Sequence, residues 1–219
     1  MERGNIEIGC HFEGAYLANV NIASTKNIFG DTCRYYSAWN GVNIYLGGEN
    51  ATFNIIKGQL DSPGEGRPNS AGIVLGGAAS DWVANNVIDV VSLDQKDGAI
   101  AFAHSDGDNA IRVRGFQTSG TALSGTPNTT DEVDILIVGA TVEKINTINQ
   151  SADIAIIASG STVWTYPFAF AAIPDVKFTP RSPSGNITSG IWISDISETS
   201  VTIYNNNAVT MNLQISATR

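Results

Sequence analysis

The sequence is poor in cysteine and in long apolar segments. Only Cys10 and Cys33 are cysteines among 219 residues, too few for a disulfide scaffold, and they lack the C-x-x-C spacing of zinc and redox sites. We expect both to be reduced core residues. The alternative is one bridge between neighbouring layers, because stacked strands lie about 4.8 Å apart. No apolar run approaches the roughly 20 residues of a membrane-spanning helix.

Basic residues are also scarce. The 12 Lys and Arg stand against 21 Asp and Glu, which gives a net charge of −9 and a pI near 4.5. This charge opposes binding to nucleic-acid phosphates and to anionic membranes, so we expect neither as a partner and no membrane insertion. Because only 15% of the residues are charged, solubility depends on Asn, Ser, Thr and Gly, which suits sugar ligands. We expect no cofactor and no metal.

Helical patterns are absent, whereas β-branched residues abound. Ile and Val total 40 against 8 Leu, a bias that favours strands. Short apolar strands recur about every 30 residues, and a second strand follows each of them. The first strands are Gly41–Leu46, Gly72–Leu75, Gly98–Phe102 and Glu132–Ile137, and the second strands are Ala51–Ile56, Asn86–Val90, Ala110–Val113 and Ala140–Ile145.

This repeat predicts a parallel β-solenoid. One coil alone does not bury its Ile and Val side chains, whereas stacked coils share a continuous apolar interior and satisfy each other's backbone hydrogen bonds. Ile6–Ile8 and Leu17–Ile22 predict an earlier coil, and Ala152–Ile157 predicts a last one. We therefore expect about five or six coils.

The repeat ends near Ser159, where aromatic residues and prolines cluster. We expect two domains, a β-helix at residues 1–160 and an antiparallel β-domain at residues 161–219. The second domain contains four segments that alternate with period two, namely Val176–Thr179, Gly190–Ser194, Ser200–Tyr204 and Thr210–Ser216. Four short strands do not close a sizeable core, so we expect three copies to pack their aromatic faces together.

The C-terminal region resembles the distal part of a bacteriophage tailspike or tail fibre, most clearly in Tyr166–Phe170, Phe178–Pro180, Ile191–Ser194 and Ser200–Ile203. The resemblance implies an all-β fold, with a right-handed parallel β-helix before a trimerising β-domain. It also implies a homotrimer on the virion tail that contacts other tail proteins and recognises a bacterial surface polysaccharide, which many members degrade. The first coil begins near Met1, so we expect an excised fragment or a short spike that docks onto another protein.

Acidic residues beside the third repeat are the candidate catalytic groups. Hydrolysis of a glycoside needs two carboxyl groups about 5 to 9.5 Å apart. Asp94, Asp97, Asp106 and Asp108 lie in loops on either side of the strand Gly98–Phe102. The alternative is turn chemistry, in which these carboxylates bond to their own backbone.

Aromatic and charged residues of the solenoid are the candidate ligand-binding groups. Tyrosine and tryptophan in an irregular loop can stack on sugar rings, and a long loop rich in Pro and Gly can display charged side chains. Two arginines that alternate with Ile and Val face outward, where they can pair with a sugar carboxylate or with Asp94 or Asp89 across neighbouring coils. The candidates are Tyr35, Tyr36, Trp39, Glu65, Arg67, Arg112 and Arg114.

Together these features predict a phage tail spike that recognises a bacterial polysaccharide. Two alternatives remain. One is a polysaccharide hydrolase or lyase with its carboxylates at the third coil. The other is a purely structural, trimeric fibre segment.

Overall fold

The computed structural model describes residues 5–13, 18–36, 42–61, 71–77, 80–93, 98–117, 122–140, 144–182 and 190–219. Throughout these ranges the chain forms strands and turns. No helix within these ranges has the length and hydropathy to span a bilayer. The chain divides into two compact units, Met1–Ile145 and Asn146–Arg219.

In its described residues the first unit contains sixteen short strands, the last of which ends one residue beyond the unit. In chain order they are β1 (Ile6–Glu7), β2 (His11–Glu13), β3 (Ala18–Ile22), β4 (Ile28–Phe29), β5 (Arg34–Tyr36), β6 (Val42–Leu46), β7 (Ala51–Thr52), β8 (Ile55–Asp61), β9 (Ile73–Leu75), β10 (Val83–Ala84), β11 (Val87–Leu93), β12 (Ile100–Phe102), β13 (Ala110–Phe116), β14 (Leu123–Gly125), β15 (Glu132–Val138) and β16 (Lys144–Asn146).

These strands form three sheets. The wide sheet has nine strands, in the order β1, β4, β8, β11, β13, β15 and β16, with β2 paired to β5 and β5 to β8. The narrow sheet has five strands in the order β3, β6, β9, β12 and β14, and β7 pairs with β10 in the short sheet. The described pairings are parallel, and each pass of the chain returns to the same sheets. The predicted β-solenoid is therefore confirmed.

The interior of the solenoid is built from columns of aliphatic side chains. Alternate residues of a strand face opposite sides of a sheet, so equal positions in successive coils stack inside. Each of these buried side chains contributes about 1.5 to 3 kcal/mol through removal from water. The columns include Ile56, Ile88, Ile111 and Val133 in the wide sheet and Ile44, Ile73 and Ile100 in the narrow sheet.

A column of buried amides lies at the turn into the wide sheet. It consists of Asn27, Asn54, Asn86 and Asn109, and Asp131 ends it. The backbone N–H of each Asn donates to the side-chain oxygen of the next member at 2.9 to 3.0 Å, and its Nδ2 donates to the same oxygen at 2.9 Å. Because every coil needs a partner above and below, this column fixes the register of the stack.

The fourth predicted coil is corrected in its internal order. Glu132–Ile137 was expected to be the first strand of a coil, but it lies in β15, which pairs with β13 in the wide sheet. The first strand of that coil is β14, which pairs with β12 in the narrow sheet. Strands of the narrow sheet and strands of the wide sheet are both rich in apolar residues, so the pattern of apolar residues alone does not distinguish them.

The second unit contains two antiparallel sheets of three strands each. One sheet has the order β17 (Asn149–Ile156), β22 (Met211–Thr218) and β19 (Asp175–Ser182). The other has the order β18 (Gly160–Thr165), β21 (Ser200–Asn205) and β20 (Ile191–Ser194). Their buried side chains form one cluster, which includes Trp164, Ile203 and Leu213.

Two expectations about this region are corrected. Ala152–Ile157 is not a last coil, because β17 pairs antiparallel with β22 in the second unit. The boundary accordingly falls after Ile145 rather than at residue 160. With β17 and β18 added, six strands close a core within one chain, and Trp164 and Phe170 fill that core rather than an interface between copies.

Both cysteines are free thiols. Cys33 is buried, and Cys10 is half-buried. The Cys10 Sγ–H donates to Glu7 Oε2 at 3.1 Å. This hydrogen bond to the neighbouring carboxylate, with partial desolvation, raises the pKa of the Cys10 thiol. That both cysteines are reduced remains a prediction, and only Cys33 belongs to the core.

Candidate functional site

The outward face of the wide sheet brings several predicted site residues together. Tyr36, Arg112 and Arg114 all project from this face, because each lies at an outward position of its strand. Residues in register on neighbouring strands are separated by about 4.8 Å. The face therefore displays continuous rows of side chains, which differ in chemistry from one end of the solenoid to the other.

The first coils present polar and aromatic side chains, which we call the Tyr36 patch. Tyr36 is 42% exposed and lies in register between Glu13 on β2 and Asp61 on β8. In the adjacent row, Arg34 lies in register between His11 and Gln59. The patch consists of His11, Glu13, Arg34, Tyr36, Gln59 and Asp61.

Contacts within the Tyr36 patch hold several of its groups in place. The His11 ring meets the Tyr36 ring edge-on, with centroids 6.2 Å apart, and His11 Nε2 lies 3.6 Å from Glu13 Oε2. Gln59 Nε2 donates to Asp61 Oδ1 at 2.6 Å. Arg34 is exposed and forms no ion pair with any described residue. Its guanidinium can therefore donate to a ligand.

A row of alternating charge follows. Lys57, Asp89, Arg112 and Asp134 are in register on β8, β11, β13 and β15. Arg114 forms an ion pair with Asp134, and its NH1 also donates to the Asp134 carbonyl oxygen at 2.8 Å. The partners expected for the arginines across coils were Asp89 and Asp94, whereas Arg114 pairs with Asp134.

The later coils present apolar side chains, which we call the Phe116 patch. It consists of Val91, Phe116, Leu136 and Val138, all exposed. Phe116 and Val138 are register partners, and Leu136 is the partner of Arg114. An exposed apolar patch at this end contrasts with the polar Tyr36 patch at the other.

Tyr35 is not available to a ligand. It was expected in an irregular, exposed loop, but it lies in β5 and is fully buried. Its ring stacks on Phe12 at 5.4 Å, and its hydroxyl donates to the Lys57 carbonyl oxygen at 3.3 Å. Burial raises the pKa of the Tyr35 phenol far above its usual value. Period-two alternation places Tyr36 outside and Tyr35 inside.

Asp106 and Asp108 lie in the turn that leads into β13. Asp106 Oδ2 accepts the Val83 N–H at 2.8 Å and so links neighbouring coils. Asp108 has a left-handed backbone with φ of 58°, and its N–H donates to Thr130 Oγ1 at 2.9 Å. Neither contact is the local bond from a carboxylate to its own backbone that turn chemistry predicts, because the Asp106 carboxylate bonds to another coil and Asp108 contributes its backbone N–H.

A serine triad is not formed at the same turn. His104 Nε2 lies 3.4 Å from Asp106 Oδ1. The Ser105 hydroxyl instead donates to Asp131 Oδ2 at 2.8 Å, at the end of the amide column. Among the residues that the structure describes, no group of three His, Cys, Asp or Glu side chains is arranged to hold a metal ion.

Five candidates lie outside the described residues and remain predictions: Trp39, Glu65, Arg67, Asp94 and Asp97.

Three solved structures are similar to the chain. The tailspike of Pseudomonas phage phi297 is 12% identical, with a TM-score of 0.39 over 97% of this chain and 48% of that chain. The tailspike of Acinetobacter baumannii bacteriophage AP22, in complex with A. baumannii capsular saccharide, is 10% identical, with a TM-score of 0.35 over 97% and 50%. The tailspike of Pseudomonas phage LKA1 is 12% identical, with a TM-score of 0.29 over 98% and 61%.

The chain therefore spans about half to three fifths of the length of these tailspikes. No family model matches its sequence, and no curated protein matches it. The assignment of the fold rests on the parallel strand pairing within the chain itself.

Sequence reasoning missed most of the Tyr36 patch and the whole amide column. His11, Arg34, Gln59 and Asp61 were not selected, because their strands belong to different coils and only the register brings them together. The amide column has a visible signal. An Asn or Asp stands directly before β4, β8, β11, β13 and β15.

Proposed function

We propose that the protein is a phage tail receptor-binding spike that recognises a bacterial surface polysaccharide through the Tyr36 patch. The observation that supports this function most strongly is the position of Tyr36, an exposed ring between two acidic side chains in register. An exposed aromatic ring offers a stacking surface for the apolar face of a sugar. The neighbouring carboxylates, amide and guanidinium supply hydrogen-bonding groups for its hydroxyls.

The scaffold suits this task because it is rigid and repetitive. The patch is built on strands of one sheet rather than on loops, and a site on such elements keeps its groups in fixed positions. A polymer with a short repeat can run along a surface whose rows also repeat. The net charge of −9 favours neutral or weakly charged glycans over phosphate-rich polymers.

Assembly into a homotrimer on the virion tail is part of the proposal. Exposed apolar patches mark protein–protein contacts, and the Phe116 patch provides one on the wide sheet. We expect copies to associate there, leaving the Tyr36 patch open to the host glycan, with other tail proteins as further partners. Light scattering tests this association, since Phe116→Ser should convert the trimer to a monomer. A wild-type monomer at micromolar concentration would contradict it.

Cleavage of the polysaccharide is a second candidate function. Glu13 and Asp61 flank Tyr36 on the same face, two strand spacings apart, which places their Cα atoms about 9.6 Å apart. The carboxyl groups of inverting glycosidases lie about 6.5 to 9.5 Å apart, a separation that side chains extending from Cα atoms at this spacing can reach. The four acidic residues predicted at the third coil, Asp94, Asp97, Asp106 and Asp108, remain the alternative catalytic groups.

The test of recognition is retention of purified bacterial capsular and lipopolysaccharide glycans by the wild-type protein. Tyr36→Ala should reduce binding at least tenfold, because it removes the stacking ring. The matched control is Val87→Ala, since Val87 lies outside the patch on the same sheet and is 43% exposed. Unchanged binding by Tyr36→Ala would contradict the assigned site. Failure of the wild-type protein to bind any glycan would favour a structural fibre segment.

The test of cleavage uses the same glycans and measures release of reducing ends by chromatography. Glu13→Gln and Asp61→Asn should each abolish turnover while binding persists. Loss of turnover in Asp94→Asn or Asp97→Asn alone would instead locate the chemistry at the third coil.

A further inference from the structure

One sheet face of the second unit has no charged residue. Strands β18, β20 and β21 contain no Asp, Glu, Lys, Arg or His. Their alternate residues Trp164, Val201 and Ile203 are buried in the core, so the others face outward. The outward side chains are Ser161, Val163, Thr165, Trp192, Ser194, Ser200, Thr202 and Tyr204. We call this surface the Trp192 face.

The sheet of β17, β22 and β19 is different. Its exposed side chains include two ion pairs, between Lys177 and Asp175 at 3.1 Å and between Arg181 and Asp153 at 3.4 Å. Exposed faces of this kind keep a β-protein soluble and discourage association. Both sheets belong to the same small unit, so the lack of charge on the Trp192 face is a local feature and not a property of the whole unit.

Two aromatic rings stand together on the Trp192 face. Trp192 and Tyr204 are register partners, and their rings are parallel within 6°, with centroids 5.3 Å apart. Trp192 nevertheless remains 47% exposed. Since Tyr204 covers one side of the indole, the accessible side is the opposite one. The stack holds the indole in a fixed orientation before any ligand arrives, which lowers the entropic cost of binding.

Hydroxyl groups surround this stack. Ser161 is the register partner of Tyr204, and Thr202 pairs with both Val163 and Ser194. Within the described part of the chain, the hydroxyls of Ser161, Thr165 and Thr202 have no hydrogen-bond partner. A fixed indole with free hydroxyls matches the chemistry of an uncharged sugar, which has apolar C–H faces and many hydroxyls. A carboxylate lies at the edge of the face, where the Ser194 hydroxyl donates to Asp195 Oδ2 at 2.8 Å.

The size of the face favours a saccharide over a second copy of this chain. Six residues along β21 span about 20 Å, and three strands span about 14 Å, which gives about 300 Å². A stable protein interface buries about 800 Å² on each partner, with an apolar centre. The large side chains of the Trp192 face are Trp192, Tyr204 and Val163, and its other five side chains are Ser or Thr. The face is therefore too small and too polar for that role.

We infer that the Trp192 face is a second glycan-binding site, selective for neutral saccharides, in which a sugar ring stacks on Trp192 and bonds to the surrounding hydroxyls. This site goes beyond the proposed function, because it lies in the other unit and uses no residue of the Tyr36 patch. Two separate sites on one chain raise the effective concentration of a long glycan at the second site once the first is occupied.

The experiment measures binding of purified neutral capsular and O-polysaccharides to the full chain by calorimetry and tryptophan fluorescence. Trp192→Ala should weaken binding at least tenfold, which corresponds to about 1.4 kcal/mol, and Tyr204→Phe should retain it. The control is Val209→Ala, because Val209 is in the same unit and equally exposed at 47%, but lies outside the face. The affinity for charged polysaccharides should be the same in Trp192→Ala as in the wild-type protein.

The outcomes separate this inference from the proposed function. A loss in Trp192→Ala that Tyr36→Ala does not cause supports the second site, even if the Tyr36 patch fails its own test. A loss in Tyr36→Ala alone, or no binding of any neutral glycan, overturns the second site. A change in the mass of Trp192→Ala by light scattering would show that copies of the chain cover the face, and would also overturn it.

Discussion

Replacing Asn86 with Ala should strongly destabilise the solenoid. The Asn86 side chain is fully buried and takes part in four hydrogen bonds. Its Nδ2 donates to the Ala51 carbonyl oxygen at 2.8 Å and to Asn109 Oδ1 at 2.9 Å. Its Oδ1 accepts the Asn54 backbone N–H at 3.0 Å and Asn54 Nδ2 at 2.9 Å. Alanine removes all four hydrogen bonds and leaves the partner groups buried, where water does not reach them.

The expected loss follows from these partners. A buried hydrogen bond contributes about 0.5 to 1.5 kcal/mol net, and an unsatisfied buried group costs about 1 to 3 kcal/mol. Some partners keep another bond, since Asn109 Oδ1 still accepts the backbone N–H of residue 86. We therefore expect Asn86→Ala to lower the free energy of unfolding by about 3 to 5 kcal/mol.

Urea unfolding followed by circular dichroism measures this loss. Ser124→Ala is the control, because Ser124 is exposed on β14 of the same unit and should change stability by less than about 0.5 kcal/mol. A loss below about 1 kcal/mol for Asn86→Ala would refute the reasoning that the column fixes the stack.

The end of the column provides a reciprocal pair of variants. The Asp131 carboxylate only accepts hydrogen bonds. Its Oδ1 accepts from the Asn109 backbone N–H and from Asn109 Nδ2, and its Oδ2 accepts from the Asn128 N–H and the Ser105 hydroxyl. Asp131→Asn would therefore point an amide donor at two donors, and Asn86→Asp would lose two donated bonds. Both swaps should destabilise, although the two side chains have nearly the same shape. A neutral result for either swap contradicts the donor and acceptor assignment.

Two further predictions concern the wide sheet. The pKa of Tyr35 is raised by burial, so the unfolded chain loses this proton first above pH about 10, and stability should fall there by about 1.4 kcal/mol per pH unit. Alkaline titration followed by circular dichroism should show that stability falls less steeply with pH in Tyr35→Phe than in the wild-type protein. Identical profiles for the two proteins would contradict this prediction. Gly58 has φ of 122° and faces the Cys33 carbonyl, so Gly58→Ala should cost at least about 2 kcal/mol in urea unfolding. Gly77→Ala should cost less, because the atoms nearest to its new Cβ belong to the Tyr45 side chain rather than to backbone.

The repeat was visible in the sequence because stacking imposes the same requirement on every coil. Each pass must place Ile or Val inside, so β6, β9 and β12 fall within the segments expected for first strands. The same argument failed at Glu132–Ile137 and at Ala152–Ile157. A strand of alternating apolar residues has one buried face in any sheet, whether its partner is parallel or antiparallel. Pairing depends on residues far away in the chain.

The candidate site was predicted only in part for the same reason. Tyr36, Arg112 and Arg114 were found because their residue types are informative by themselves. His11, Arg34 and Asp61 acquire meaning only when β2, β5 and β8 are aligned.

By itself, the sequence determined that this chain is an all-β solenoid followed by an antiparallel unit, with an acidic, weakly charged surface. Composition and period suffice for this, because burial of Ile and Val at every second position leaves few other folds. Only the tertiary structure decided which polar groups share a face. A shift of register by one residue turns every side chain of a strand to the opposite side, and no local sequence pattern specifies the register between strands.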